Sequence, residues 1–374
     1  MCKKITAWAL AALSVCSLAA GCKKKPDVQA LTPTNGECVA LVNEQMQSFV
    51  SNYKYASSHK YAMGKDYFAP VGVTLSWEAK GTPIEYEIAL STDESLQEAV
   101  TFTTTETTYT VENLFVNYPY YWQVTAKYAE GEKTSETYAF TTANTPRTID
   151  IEGVSNTRDI GGKLTADGKR VKQNMLFRSA YLDEVTEKGA KAFLETYGIK
   201  TELDLRREGE GSAGKGSPLG PNVRYINYSF PYYTGGDTGL DVPANYANIA
   251  AAVKVFADED NYPMLFHCAI GRDRTGMLSM LLLGLLGVSS EDISLDYETS
   301  AFSKTGSQDG ASMLSLTDRF TETVGYILVD TGKRDFQEAC EAYLLAVGVT
   351  QEELDSIKNI MLEENKLPIE AETK

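Results

Sequence analysis

The pattern of apolar and polar positions changes near residue 145. Between about 31 and 143 the two kinds of residue alternate in short runs separated by turns, most clearly at 71–77, 84–90 and 120–126. Strict alternation is the pattern of a strand that is buried on one face. This part of the chain is therefore predicted to be an all-β sandwich.

One stretch of that first domain, at about 43–68, does not alternate and is predicted to be an insertion. Its first part, at 44–53, has the spacing of a helix. His59 in the remainder is one of only two histidines in the chain and is expected to be a solvated loop residue.

Beyond a linker at 144–150, short apolar runs alternate with longer helical ones. A helix is predicted from Thr186 to Tyr197, and capping residues at Ser289 and Thr350 predict the starts of later helices. Alternating strands and helices predict an α/β domain with a central, mainly parallel sheet over 151–374. A chain of 374 residues is long enough for both domains.

The first 22 residues have the form of an export signal. Lys3 and Lys4 precede an apolar stretch at 5–20, which is too short for a comfortable membrane span. The stretch ends in Leu-Ala-Ala-Gly-Cys22, which resembles a bacterial lipoprotein signal. The resemblance implies an exported protein that is anchored to a membrane, at the periplasm or the cell surface, through lipid on Cys22 and a tether at 23–30.

A decapeptide at 267–276, His-Cys-Ala-Ile-Gly-Arg-Asp-Arg-Thr-Gly, carries the clearest chemistry. The apolar run before it, at 262–266, is typical of a buried strand. The run after it, at 277–286, is typical of a buried helix that ends at Gly287. A strand, a tight loop and a helix in this order direct backbone N–H groups and the helix N-terminus at one point. Such a point is an anion site.

Each residue type in this loop has a chemical reason. A helix N-terminus and nearby cations stabilise Cys268 as a thiolate, which can attack phosphorus. Arg274 offers a rigid fork of donors to phosphate oxygens. Gly271 permits a turn that side chains avoid. Thr275 can donate its hydroxyl to the sulfur, and His267 is expected to orient the cysteine.

The loop has two other interpretations. A His-Cys pair could be half of a zinc site, but the chain has no CxxC or HxxxH partner for it, so no metal is predicted. A loop that binds phosphate without turning it over is harder to exclude from the residues alone.

The loop is similar to the HCxxGxDRTG loop of the cysteine-dependent protein-tyrosine phosphatase superfamily, and in particular to the bacterial tyrosine/lipid branch that reads HCxxGKDRTG. The segments Asn-Thr-Arg-Asp-Ile-Gly-Gly at 156–162, Leu-Phe-Arg-Ser-Ala at 176–180 and Asp-Leu-Arg at 204–206 resemble further motifs of that branch. The similarity extends over about 150–365. The substrate-binding residues expected from the loop and these motifs are Ala269, Ile270, Gly271, Arg272, Arg158, Arg178, Asp204 and Arg206.

The resemblance leaves two matters open. Arg272 stands where the branch typically has the lysine that is associated with phosphoinositide phosphatases, and it leaves a cation near the substrate. Phosphotyrosine protein is the expected substrate and a phosphoinositide or inositol phosphate the alternative; Arg272 does not decide between them, because both need a cationic pocket. The general acid is either Asp273, which the branch suggests, or Asp237 or Asp241 in the glycine-rich segment before the loop. Asp273 is favoured, and its alternative role is a loop-stabilising carboxylate paired with Arg158 or Arg206.

The N-terminal domain resembles a fibronectin type III sandwich. Trp77 would be its core tryptophan with Tyr86 beside it, and Leu114 with Tyr120 would form the corner before the next strand. Its aromatic residues could also contact a partner or glycan, but their alternating spacing favours core packing. Cys38 in this domain and Cys340 in the other are expected to be free.

The net charge of −16 limits the kinds of partner that the protein is expected to bind. A strongly acidic protein is not expected to bind nucleic acid or to adsorb tightly to anionic lipid headgroups. Cysteine-based phosphate transfer needs no cofactor. The sequence therefore predicts a lipid-anchored phosphatase with a β-sandwich spacer, and the alternative is a surface module that captures phosphorylated ligands without turnover.

Overall fold

The computed structural model describes residues 26–237, 239–309 and 312–367. These form two compact units, and the predicted insertion is not part of the first. Residues 26–41 and Val71–Thr145 form the first unit, whereas Val42–Pro70 joins the described residues from Pro146 onward in the second. The prediction that assigned 43–68 to the N-terminal domain is corrected accordingly. The lipidation site predicted at Cys22 lies outside the described residues.

The first unit consists of strands in two sheets that share one hydrophobic core. Its strands are β1 (Val28–Thr32), β2 (Glu37–Val39), β3 (Val73–Ala79), β4 (Glu85–Ser91), β5 (Val100–Thr104), β6 (Thr108–Val111), β7 (Pro119–Tyr128), β8 (Gly131–Thr134) and β9 (Tyr138–Thr142). One sheet has the order β1-β3-β6, and the other has the order β2-β9-β7-β4-β5 with β8 paired to β7.

The alternating residues of these strands face the core of the unit. Trp77 and Tyr86, from different sheets, are both buried with ring centroids 5.4 Å apart. Tyr120 and Trp122 on β7 are buried as well, which favours core packing over a carbohydrate platform for these aromatic residues. Cys38 is disulfide-bonded, so the expectation that it is free is wrong, whereas Cys340 is a free buried thiol.

The second unit has a six-stranded mixed sheet in the order β10-β11-β13-β16-β14-β15. The strands of this sheet are β10 (Arg147–Thr148), β11 (Arg158–Asp159), β13 (Leu176–Ser179), β14 (Thr201–Asp204), β15 (Arg224–Asn227) and β16 (Met264–His267). Two further strands, β12 (Lys169–Val171) and β17 (Leu362–Glu364), form a separate pair. The strands β13, β16, β14 and β15 pair in parallel, whereas β11 pairs antiparallel with both of its neighbours, β10 and β13.

Ten α-helices are found among the described residues of this unit. They are α1 (Glu44–Ser51), α2 (Ser58–Ala62), α3 (Glu187–Lys191), α4 (Tyr246–Lys254), α5 (Asp273–Leu285), α6 (Ser290–Thr299), α7 (Lys304–Gln308), α8 (Met313–Thr331), α9 (Phe336–Ala346) and α10 (Gln351–Met361). A π-helical segment, Ala192–Thr196, continues α3.

The helix starts follow the capping residues of the sequence. The side chains of Thr186, Ser289 and Thr350 accept hydrogen bonds from the first turns of α3, α6 and α10. Helix α5 is buried along almost its whole length, as its continuous apolar sequence predicts. Among the described residues, no helix combines the length and hydropathy needed to cross a membrane.

Candidate active site

The loop between β16 and α5 lies at the carboxyl end of the parallel strands. Strand β16 ends at His267 and α5 begins at Asp273, so residues 268–272 form the whole connection. Cys268 is 2% exposed at the start of this loop. Parallel sheets place their ligand sites at this edge. The short connection therefore brings a buried thiol to the N-terminus of a 13-residue helix.

The carbonyl groups of the loop are held on its outer side. Tyr181 N donates to Ala269 O at 3.1 Å. The side-chain amide of Asn156 donates to Ile270 O at 2.9 Å and to Gly271 O at 3.1 Å. Within the described residues, by contrast, no acceptor is found for the backbone N–H groups of residues 269–272. A loop with outward carbonyls and unpaired N–H groups is a nest for an anion.

Gly271 is required by this loop for two reasons. Its φ of +74° lies in the left-handed region, which side chains disfavour. A Cβ atom there would lie 2.3 Å from the carbonyl oxygen of Ser179, at the end of the neighbouring strand β13. The glycine thus allows the loop to pack directly against the sheet edge.

Arg274 is held beside the loop by a carboxylate that the sequence did not predict. Its Nη1 and Nη2 donate to Glu210 Oε1 and Oε2 at 3.1 and 2.8 Å, and its guanidinium lies 5.0 Å from the ring centroid of Tyr232. Burial lowers the pKa of Arg274, but the bonds to Glu210 and the negative charge of Cys268 raise it by more. Arg274 therefore stays cationic and fixed in orientation.

Three buried polar atoms around the loop lack partners in the described part of the chain. They are Arg274 Nε, Thr275 Oγ1 and Arg272 Nη1. Unpaired buried donors are costly and are usually satisfied by a ligand or water. Together with the loop N–H groups, the two arginine nitrogens match the oxygens of a phosphoryl group, and the Thr275 hydroxyl is left to donate to the sulfur of Cys268.

His267 supports the cysteine from the strand side. Its Nε2 is 3.0 Å from Glu202 Oε1 and its Nδ1 is 3.3 Å from the carbonyl oxygen of Cys268. Burial lowers the pKa of His267, but the hydrogen bond and charge of Glu202 raise it by more. Contacts with Glu202 and with the cysteine carbonyl therefore fix the position of the ring, and the role of His267 in orienting Cys268 stays a prediction.

Glu202, Asp204 and His267 lie close enough together to be compared with a metal site. Glu202 contacts His267 and accepts a hydrogen bond from Ser217. Asp204 accepts hydrogen bonds from the guanidinium of Arg206. Because these ligand atoms already pair with protein groups, the cluster is a hydrogen-bond network that supports His267.

Arg158 and Arg178, which were expected to bind substrate, lie behind the loop. Both are fully buried and share the carboxylate of Asp296, at 3.0 Å to Arg158 Nε and 2.6 Å to Arg178 Nη1. Arg178 Nη2 also donates to Gly271 O at 2.7 Å, whereas Arg178 Nε has no partner in the described part of the chain. The two arginines therefore support the loop from outside, and their contact with substrate stays a prediction.

Arg206 and Asp204, which were also expected to bind substrate, form an ion pair beside the loop. The guanidinium of Arg206 bonds to Asp204 at 2.8 Å and to Asp183 at 2.9 Å. Arg206 Nη2 also reaches Ser212 Oγ at 3.3 Å, on the segment that contains Glu210. The pair therefore supports the segment that holds Arg274, and its contact with substrate stays a prediction.

The three candidate acids occupy different surroundings. Asp273 accepts hydrogen bonds from Tyr233 Oη and from Arg272 Nε, the latter at 3.2 Å. Asp237 is exposed, and Asp241 accepts from the backbone of its own turn, at Gly235 N. Asp273 is thus the only one of the three with described contacts to the loop, and its arginine partner is Arg272 instead of Arg158 or Arg206.

Comparison with known proteins agrees with this geometry. Residues 149–363 match the pattern of the tyrosine phosphatase family. The chain belongs to this family. A Cupriavidus necator protein with a provisional name as a tyrosine-protein phosphatase is 30% identical over 170 residues, which cover 39% of this chain and 60% of that protein. This tyrosine phosphatase family member thus spans about 60% of the length of its curated relative.

Solved structures of the catalytic core of the PP-IP phosphatase SIW14 from S. cerevisiae are also similar to this tyrosine phosphatase family member. One, in complex with citrate, shares 17% identity and covers 42% of this chain and 93% of its own, with a TM-score of 0.27. A second covers 92% of its own chain with the same identity and TM-score.

Two residues that build the site carry no motif of their own. Glu210 lies four residues after Arg206 in a polar loop, and Asp296 lies within α6 beside Tyr297. In sequence, Asp296 is a polar residue next to an aromatic one on a helix. This pattern does not show whether the aspartate is buried or lies on an exposed face of the helix. Tertiary packing decides both positions.

Proposed function

We propose that the protein is a phosphomonoester hydrolase of the tyrosine phosphatase type that acts on phosphotyrosine in proteins through a phosphocysteine intermediate. The observation that carries this proposal is the loop at 268–274. It combines a buried thiol, unpaired backbone N–H groups among the described residues and the unpaired Nε of Arg274. A phosphoryl group supplies the acceptors for these donors and the electrophile for the thiol.

The reaction has two balanced steps. The sulfur of Cys268 donates an electron pair to phosphorus, and the bond to the leaving oxygen breaks as that oxygen takes a proton from Asp273. Water then attacks phosphorus and returns a proton to Asp273, while the S–P bond breaks to give phosphate and thiolate. Arg274 and the loop N–H groups hold the three equatorial oxygens in both steps. Thr275 donates its hydroxyl to the departing sulfur.

Phosphotyrosine is favoured over an inositol phosphate because of Arg272. Its guanidinium donates to Asp309 at 2.5 Å and to Asp273 at 3.2 Å. The Asp309 carboxylate therefore compensates the cation that a polyanionic substrate would need, while Asp273 holds the proton that the first step transfers. A substrate with a single phosphoryl group fits this balance of charge.

The experiment is phosphate release by the purified protein, without added metal, with Cys268→Ser as the matched control. Phosphotyrosine and phosphoserine peptides, phosphatidylinositol phosphates and inositol hexakisphosphate are compared. We expect turnover of the phosphotyrosine peptide and none by the variant. A phosphorylated Cys268 after acid quench supports the intermediate. Binding of phosphopeptide without turnover would replace the enzyme by a capture module, and preferred turnover of inositides would replace the substrate class.

We also propose that the protein is an exported lipoprotein whose fibronectin III-like unit is a spacer between a lipid anchor and the catalytic unit. The proposal is supported by the signal-like sequence before Cys22 and by the two-sheet unit between it and the catalytic residues. Cys22→Ala should move the protein from the membrane to the soluble fraction. Retention in the membrane would contradict an anchor at this residue.

A further inference from the structure

A pocket of about 750 Å³ lies beside the catalytic loop. One wall comes from the segment Val42–Pro70, through Asn43 and residues 66–69. The opposite wall comes from residues 149–156 with Ala180, Tyr181 and Glu184, and α7 contributes Lys304, Thr305 and Gln308. A volume in this range is typical of ligand sites. The two chemical steps proposed above place no group of the substrate or the protein in this pocket.

Three residues of the lining contact the loop directly. Asn156 holds the carbonyl oxygens of Ile270 and Gly271, and the N–H of Tyr181 holds that of Ala269. Asp309 accepts from Arg272 at 2.5 Å. The first two of these residues hold the carbonyl side of the loop, whereas Asp309 contacts Arg272, whose Nη1 is an unpaired donor among the described residues. The pocket therefore adjoins the loop at Arg272, and a peptide whose phosphoryl group occupies the loop can extend past Arg272 into it.

The wall from the segment Val42–Pro70 is firmly docked. Glu298 on α6 is fully buried and accepts from Tyr53 Oη at 2.9 Å, from Ala56 N at 2.8 Å and from Ser58 N at 3.0 Å. Phe49 is fully buried with its ring 5.1 Å from that of Phe302. A buried carboxylate with three donors and an aromatic anchor hold the segment in one arrangement.

The same helix supports the loop. Asp296, two residues before Glu298, forms ion pairs with the two arginines behind the loop. The next residue, Tyr297, is hydrogen-bonded to Tyr233, which donates to Asp273. One turn of α6 thus connects the docked segment and the catalytic loop. The pocket wall and the loop keep a fixed spacing, which a specificity site requires.

The charge of the lining selects the kind of group that binds there. It contains one lysine, Lys304, and five carboxylates, which are those of Asp66, Asp150, Glu152, Glu184 and Asp309. Asp309 is paired with the buried Arg272 and Glu152 with the exposed Lys188, whereas no ion pair of Asp66, Asp150 or Glu184 is found among the described residues. The rings of Tyr67 and Tyr181 add surface on which an alkyl stem or guanidinium can pack. The lining favours a cation with an apolar stem and repels a polyanion.

We propose that this pocket is a substrate subsite that receives a lysine or arginine side chain next to the phosphotyrosine of a peptide. The inference rests on the proposed function and specifies its substrate class. The loop binds the phosphoryl group, and the acidic pocket beside it reads the flanking residue. The segment Val42–Pro70 is then a specificity element of the catalytic unit.

The test compares kcat/KM of the full protein for phosphotyrosine peptides that carry arginine, alanine or glutamate at the positions flanking the phosphotyrosine. We expect arginine peptides to exceed glutamate peptides by about tenfold at low salt, with a smaller ratio at high salt. p-Nitrophenyl phosphate, which reaches the loop but not the pocket, serves as the reference substrate. Equal rates for the three peptides, or a preference for glutamate, would overturn the proposal.

Asp66→Asn with Asp150→Asn, one residue from each wall, removes two charges from exposed positions. This double variant should lose most of the arginine preference relative to the reference substrate. The matched control, Glu322→Gln with Glu352→Gln, removes two exposed charges that do not line the pocket and should keep the preference. Loss of preference in both pairs would assign it to net charge and overturn the subsite.

The two proposals fail in different ways. Absence of turnover of both p-nitrophenyl phosphate and phosphotyrosine peptides would contradict the proposed function. Turnover of these substrates without dependence on the flanking residue would contradict only the subsite. Faster turnover of inositol hexakisphosphate than of any peptide would exclude both a phosphotyrosine substrate and an acidic specificity pocket.

Discussion

Glu210 forms a two-point hydrogen bond with Arg274, at 3.1 and 2.8 Å, and leaves the arginine Nε directed away from the pair without a described partner. A guanidinium can bind two ligands along two different edges. A carboxylate that binds one edge therefore orients the other edge for phosphate. The position of Glu210 therefore fixes the geometry in which Arg274 meets the substrate.

Glu210→Gln should lower kcat/KM for a phosphotyrosine peptide by about tenfold, because the arginine loses one of its two fixed contacts. Glu208→Gln, an exposed neighbour in the same loop, is the matched control and should retain wild-type rates. Steady-state kinetics at neutral pH provide the measurement. Equal rates for Glu210→Gln and the control would show that Arg274 is oriented by other contacts.

Gly271→Ala should abolish turnover and destabilise the catalytic unit. The new Cβ would meet Ser179 O at 2.3 Å in a backbone conformation with a φ of +74°. Gly325→Ala is the control, because Gly325 lies inside α8 and a Cβ atom there would have nothing within 4 Å among the described residues. That variant should gain about 0.5–1 kcal/mol. Thermal unfolding and activity distinguish the two, and an active Gly271→Ala enzyme would contradict the close approach.

Asp296→Asn should destabilise the protein by about 3–5 kcal/mol at pH 7, because two buried arginines lose their shared counter-charge. Burial raises the pKa of Asp296, but Arg158 and Arg178 lower it by more, to well below its usual range. A depressed folded-state pKa gives stability that is present above the unfolded value, near 3.8, and is lost as the pH falls through the folded value.

The check on Asp296 is urea unfolding of wild type and Asp296→Asn between pH 7 and pH 3. The difference in free energy of unfolding should be constant down to about pH 4 and shrink below it. Asp355→Asn, at an exposed position, is the control and should follow wild type at every pH. A difference that does not change with pH would mean that the carboxylate acts through shape instead of charge.

Asp273→Asn should lower kcat for a peptide with a poor leaving group by about a hundredfold or more, because the leaving oxygen loses its proton donor. An activated aryl phosphate, which needs no protonation of its leaving oxygen, should lose much less. Asp237→Asn, in the exposed turn, should keep the wild-type rate for both substrates. The reverse pattern would identify Asp237 as the acid and leave Asp273 as a partner of Arg272.

The sequence alone was sufficient for the residues of the loop. Cys268, Gly271 and Arg274 are defined by local spacing, since strand, turn and helix follow one another without interruption and their geometry depends on neighbouring residues. The capping residues Thr186, Ser289 and Thr350 predicted the helix starts for the same reason, because a cap acts within one turn.

The roles of the motif arginines depended on contacts between distant parts of the chain. An arginine in a motif looks the same in sequence whether it faces a ligand or a buried carboxylate. The motifs therefore predict substrate contacts for Arg158, Arg178 and Arg206, whereas the fold pairs these three with the carboxylates of Asp296, Asp204 and Asp183.

The segment Val42–Pro70 shows the same division between local and tertiary information. It interrupts the β-rich domain in sequence, yet its buried aromatic residues pack in the catalytic unit. Local pattern determined which residues can perform the chemistry. Tertiary packing decided which of them face the phosphoryl group, because burial and pairing of charge are set by residues far apart in the chain.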